Sequence, residues 1–175
     1  MLYIAGASDR LGRVADGNTV LDFDSEEKRR KSSVSSAIAA LEWDNTKLNI
    51  IDAPGLFDFE GGAAEAVRAA EAVLIVTSAG SGVDVGTEKA FRAAEKKGAA
   101  KFFAVTKTDS DHRNFYKTFD ALKEVYGNKL CPTIIPYMEG NITKCYVNLM
   151  TGMAFSYDEN GKATKVPVPE DSVIE

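Results

Sequence analysis

The chain is poor in the residues that build disulfide and zinc frameworks. Its two cysteines, Cys131 and Cys145, share no Cys-x-x-Cys spacing, which argues against a zinc site and for a reducing compartment. Both read as small buried hydrophobes. The single histidine, His112 in "SDHRNF", falls at an expected helix start, where a capping or surface role fits better than a catalytic one. No apolar run approaches the ~20 residues that span a bilayer, so no membrane partner is expected. The opening "MLYIAGASDR" lacks the basic and long apolar regions of a signal peptide. These features point to the cytoplasm. Positive charge is also short: the net charge is -5, which disfavours binding to free DNA through its phosphates. "EKRRK" is a local basic patch. There is no internal repeat and no low-complexity tract.

What remains is an ordinary globular composition, 45% hydrophobic and 27% charged over 175 residues, enough for one domain with a sizeable core. "KLNIIDA", "AVLIVTSA" and "KFFAVTK" are nearly continuous in apolar residues, as for parallel strands covered on both faces. Helical patterns at "GGAAEAVRAAE", "GTEKAFRAAEKKG" and "RNFYKTFDALKEVYGN" separate or follow them. The alternation predicts a doubly wound α/β sheet, whose ligands bind at the carboxyl ends of the strands. "VSSAIAALEW" is expected to pair with "KLNIIDA" in a hairpin across "DNT", and "DFDSEEKRRKSS" before it reads as a mobile loop or short helix. Beyond Asn128 the texture changes to extended strands with a turn at "DENGK".

Two loops carry the chemistry. "NIIDAPGLFDFEG" ends a buried strand in Asp52, then breaks at Pro54 and Gly55. It reads as a plain turn, or as a carboxylate facing Mg²⁺ followed by a backbone N–H offered to a phosphate. "TKTD" (Thr106, Lys107, Asp109) ends a second strand. It reads as a helix-capping segment, or as a guanine reader in which the carboxylate accepts the N1 and N2 hydrogens and the lysine stem lies along the purine. Both loops in this order, one βα unit apart, favour the second reading of each.

With these motifs and their flanks, the chain resembles the GTPase domain of bacterial elongation factor G or a divergent paralogue. The likeness runs from "LYIAGASDRLGRVADGNTVLDFDSEEKRRKSS" through "TKTDSDHRNFYKTFDALKEVYGNKLCPTIIPYMEGN" to "YVNLMTGMAFSYDENGKATKVPVPED". It implies a P-loop GTPase-like sheet over 1–138 and the start of an inserted β-rich subdomain over 139–175. It implies GTP or GDP with Mg²⁺ as ligands and the ribosome as partner. Ser33 falls on the first-switch metal ligand, and Asp52 acts on the metal through water. Ala53 and Pro54 lead to Gly55, the γ-phosphate sensor. Thr106, Lys107 and Asp109 fall on the guanine-reading motif.

The departures from the family are equally specific. Its phosphate loop belongs ahead of Met1, its Ser-Ala turn beyond Glu175, and Met1 is expected inside a helix. The chain therefore reads as a truncated piece of a longer protein. The family's first strand would stand between "KLNIIDA" and "AVLIVTSA", so a gap is expected there, closed by rearranged pairing or a partner strand. Thr106 replaces an asparagine and Ala53 a threonine. Leu56 takes the place of the histidine that orients the attacking water, so no catalytic residue is assigned. Three readings follow: a translational GTPase fragment with impaired binding and hydrolysis, a non-catalytic GTPase-like binding module, or an unrelated flavodoxin-like or phosphoacceptor domain.

Overall fold

The computed structural model describes residues 1–108, 115–140, 142–158 and 161–170. They form two compact units, Met1–Ile75 with Val85–Phe102, and Val76–Asp84 with Phe103–Glu175.

In the first unit, β1 (Ala37–Trp43) and β2 (Thr46–Asp52) make the expected antiparallel hairpin, with Ala37 opposite Asp52 and Trp43 opposite Thr46. The turn residues Asp44 and Asn45 have φ of 47° and 59°, the left-handed pair that a two-residue hairpin turn requires. Ahead of the hairpin, Ser25–Arg30 is the short helix α1. Asp24 and Glu27 cap it reciprocally: the Asp24 carboxylate accepts from the Glu26 N–H at 2.7 Å, and Glu27 accepts from the Asp24 N–H at 3.1 Å. Residues 1–10 are turns instead of the expected helix; Gly6, at φ 72°, interrupts so short a stretch.

α2 (Glu60–Ala69) follows a 3-10 turn at Phe57–Phe59. α3 (Val85–Lys97) buries Thr87, Phe91 and Ala94 at helical spacing and ends at Gly98, φ 76°. Lys97 of α3 donates to the carbonyls of Arg68 and Ala70, which covers the exposed end of α2.

α3 also links two neighbouring strands, β3 (Ala72–Ser78) and β4 (Ala100–Thr106), the βαβ plan of a parallel sheet. Burial along β3 alternates: Ile75 and Thr77 are covered, whereas Leu74 and Val76 are exposed, as is Phe102 of β4. The apolar runs predicted cover on both faces, and the described residues supply it on one. β2 and β3 lie in separate hydrogen-bonded sheets, as expected from the sequence; among the described residues no rearranged pairing joins them.

In the second unit, α4 (Phe115–Tyr126) stacks Phe115 on Phe119 and sets Tyr126 against Phe103. A four-stranded antiparallel sheet runs in the order β5 (Ile134–Glu139), β6 (Ile142–Asn148), β7 (Met153–Tyr157), β8 (Ala163–Val166). Ile135, Cys145, Val147 and Ala154 form its core, with Phe115, Tyr137 and Val166 packed against them. Asp158 closes the expected turn by accepting from the N–H groups of Gly161 and Lys162. Cys145 is buried as predicted; Cys131 is exposed, in the irregular stretch between α4 and β5. No helix among the described residues is long and apolar enough to cross a membrane.

Candidate functional site

β2 ends in Asp52, partly buried, and the chain turns through Ala53, the buried Pro54 and the exposed Gly55. A Cβ on Gly55 would meet no atom within 4 Å, and its φ lies outside the left-handed region. Nothing in the fold of the chain itself demands glycine there. Leu56 is half exposed and opens the 3-10 turn. It brings neither donor nor acceptor. Phe57 and Phe59 of that turn meet cations: Lys89 lies 4.7 Å from the Phe57 centroid and Arg30 lies 6.0 Å from that of Phe59. Lys89 also pairs with Glu60 at 2.9 Å.

Ser33 lies in the loop after α1. Its hydroxyl donates to Asp22 Oδ1 at 2.8 Å, and Asp22 Oδ2 accepts from Thr19 Oγ1 at 2.8 Å. Three residues on, Ser36 Oγ donates to the Gly62 carbonyl at 3.1 Å. A Cβ on Gly62 would stand 3.1 Å from Ser36 Oγ and 3.3 Å from Pro54 Cγ, so glycine lets α2 approach this loop.

Negative charge concentrates here. Burial pushes the Asp52 carboxyl up from the usual range, and the charges of Asp22 and Glu27 push it further. Glu27 is only 1% exposed. Burial alone would raise its pKa, but the N–H groups of Val34, Ser35, Asp24 and Phe23 outweigh that and hold it below the usual range. Glu26 is held at about 2, chiefly by Arg29 and Arg30. Asp22, Ser33 and Asp52 offer carboxylate and hydroxyl oxygens, the donors a hard divalent cation prefers. Among the described residues no three His, Cys, Asp or Glu side chains could hold a metal ion as a group. Such a donor set suits Mg²⁺, which keeps waters and takes phosphate oxygens, better than an ion needing an all-protein cage.

In the second unit β4 ends at Thr106. Its hydroxyl donates to the Thr77 carbonyl at 3.1 Å, and its own carbonyl accepts from the Ala79 N–H at 2.9 Å. Its donor thus serves the β3–β4 pair. Lys107 is exposed and has φ 57°, a left-handed conformation uncommon for a residue with a Cβ. Asp109 and His112 lie outside the described residues.

Asp22 and Glu27 escaped the sequence reading. Glu27 had a signal, the Asp-x-x-Glu spacing of a capping box. Asp22 had none beyond its place in "DFD".

The β3–α3–β4 unit places the chain in the α/β class, whose ligands bind at the carboxyl ends of the strands. The model of the elongation factor Tu GTP binding domain family matches residues 1–170, and the chain belongs to that family. It is 31% identical over 172 residues to an elongation factor G-like protein of Mycobacterium tuberculosis, covering 98% of this chain and 23% of that one. It is 29% identical over 175 residues to elongation factor G of Mycoplasma genitalium, covering 99% of this chain and 25% of the relative. A crystal structure of a Thermus thermophilus protein superposes with a TM-score of 0.90 at 34% identity, over 97% of this chain and 25% of that one. The chain thus spans about a quarter of the length of these relatives.

Proposed function

We propose that this chain is the guanine-nucleotide part of a cytoplasmic translation factor of the elongation factor G type. The whole protein would act on the ribosome and hydrolyse GTP during translocation. The observation that carries the reading is the family match over residues 1–170, which includes polar motifs at the carboxyl ends of β2 and β4. In this reading Ser33, and Asp52 through water, hold Mg²⁺, which would offset charge on the nucleotide phosphates. Ala53 and Pro54 bring the Gly55 N–H to the terminal phosphate. The open space at Gly55 supports close approach by a ligand. Thr106 and Lys107 lead to Asp109, with the Lys107 stem along the purine and the Asp109 carboxylate on the guanine edge. Residues 139–175 open the inserted subdomain.

We further propose that the chain turns GTP over poorly. Orienting the attacking water is a large share of phosphoryl-transfer catalysis, and the Leu56 side chain cannot hydrogen-bond that water. The second reading, a binding module without turnover, is favoured by Leu56 and by the commitment of the Thr106 hydroxyl to Thr77.

Isothermal titration of the chain with GDP and with GTP, each with Mg²⁺, tests both. Micromolar binding that Lys107→Ala abolishes supports the nucleotide site. In a separate phosphate-release assay, slow but measurable turnover supports the first reading, and binding with none at all favours the second. No binding of either nucleotide rejects a site completed by these residues alone.

A further inference from the structure

Glu27 is an unusual carboxylate. It is buried to 1% exposure inside a segment whose neighbouring charges, Glu26, Lys28, Arg29, Arg30 and Lys31, are solvated. Among the described residues no cationic side chain pairs with it. Its partners are backbone amides at both ends of α1. Oε2 accepts from Asp24 N at 3.1 Å, before the helix; Oε1 accepts from Val34 N at 3.0 Å and Ser35 N at 3.1 Å, after it. A buried charge is tolerated only when several donors converge on it, and here they do. The Glu27 carbonyl also accepts from the N–H of the C-cap residue Lys31 and from Ser32 N at 3.3 Å. One residue thus closes a loop that starts at Asp24 and ends at Ser35, and Ser33 lies inside it.

We propose that Glu27 is a positioning residue: by pinning the backbone at residues 34 and 35 it sets where the Ser33 hydroxyl stands. The pinning is independent of any ligand; its consequence for metal binding rests on the function proposed above. Glu27→Ala removes both acceptor oxygens. Glu27→Gln keeps one, and its amide N–H₂ must then face backbone donors at one end of the loop.

Amide hydrogen exchange on the 175-residue chain tests the pinning without nucleotide or metal. In the native chain the Val34 and Ser35 amides should exchange about 100-fold slower than in free peptide. Glu27→Ala should remove that protection at 34 and 35 while leaving the β1–β2 amides unchanged, with Glu27→Gln intermediate. Tryptic cleavage at Lys28–Lys31 should accelerate in the same order. Free-peptide exchange at 34 and 35 in the native chain overturns the proposal, whether or not the variants fold. So does retained protection in a folded Glu27→Ala.

Mn²⁺, a paramagnetic stand-in for Mg²⁺, supplies a readout that loss of stability alone would not move. Broadening of both the Ser33 and Asp52 amides in the native chain, lost at Ser33 alone in Glu27→Gln, supports positioning of a metal ligand. Equal broadening in both proteins overturns it. Absence of broadening at Asp52 in the native chain rejects the metal reading and leaves the exchange result to judge the pinning.

Discussion

Residues 22–36 and the strands β5 to β8 are held by opposite means. The second stretch is an antiparallel ladder over an apolar cluster of Ile135, Cys145, Val147 and Ala154. The first has one short helix, and its tertiary ties are polar: Asp22 to Thr19 and Ser33, Glu27 to three amides, Ser36 to Gly62. Apolar burial is non-directional and insensitive to pH, whereas hydrogen bonds to ionised groups depend on geometry and on charge. The sheet should therefore feel lost volume, and the loop should feel lost charge. A segment held this way can be released by small changes, which suits a part that must respond to a ligand.

The largest effect should come from the sheet. Ile135, 2% exposed, truncated to alanine should cost about 3–4 kcal/mol, read as a lowered denaturation midpoint. The cost should be the same at pH 4 and pH 7. Glu27→Ala should cost less, about 2–3 kcal/mol at pH 7, because it leaves buried amides without acceptors. Its cost should shrink in acid, because a protonated Glu27 accepts more weakly and only the part due to its charge is lost. The folded pKa of Glu27 lies below the ordinary 4.5, so that part is present above 4.5 and is lost as pH falls through the lower folded value. A pH-independent cost at Glu27 and a pH-dependent one at Ile135 would invert the comparison.

Asp52 should behave with the opposite sign. Burial raises its pKa, and the Asp22 and Glu27 charges add to the rise, so its ionised form weakens the native state as pH climbs through the raised value. Asp52→Asn should stabilise the chain by about 1 kcal/mol at neutral pH. The same change should abolish Mg²⁺-dependent nucleotide binding. A destabilised Asp52→Asn would show that the carboxylate serves the fold more than the site.

The elements with a period or a stop signal were legible. The hairpin, the βαβ unit and α4 follow from apolar runs, from Gly98 and from the aromatic spacing, with ends among the described residues displaced by up to three residues. Asp52 and Lys107 were expected at two carboxyl ends; β2 does end at Asp52, and β4 ends at Thr106, one residue before Lys107. What escaped depends on contacts distant in sequence. "EEKRRK" looks like a solvated charge run; the Asp24-x-x-Glu27 spacing hints at a cap, but the bonds from Val34 and Ser35 that bury Glu27 appear only in the fold. The Thr106 hydroxyl looks free for a ligand until β3 places the Thr77 carbonyl 3.1 Å away. A continuous apolar run likewise cannot tell which of its two faces the same chain will cover, as Leu74, Val76 and Phe102 demonstrate.

The smallest effects are the sharpest. Two lysines share the left-handed conformation: Lys31, φ 56°, at the end of α1, and Lys107, φ 57°, after β4. Glycine removes the Cβ penalty of about 1 kcal/mol at such a position but loosens the unfolded chain, so a net gain of about 0.5 kcal/mol is expected at each. Lys31→Gly should be a plain improvement, because glycine is the preferred residue at that cap. Lys107→Gly should raise the denaturation midpoint equally, yet lower affinity for GDP by removing the stem assigned to the purine face. Strain retained where glycine would relieve it is expected where the side chain is needed by a ligand. Equal stabilisation with unchanged GDP affinity would mean that the backbone at Lys107 is strained for the turn alone, and the base-reading role would pass to the residues that follow it.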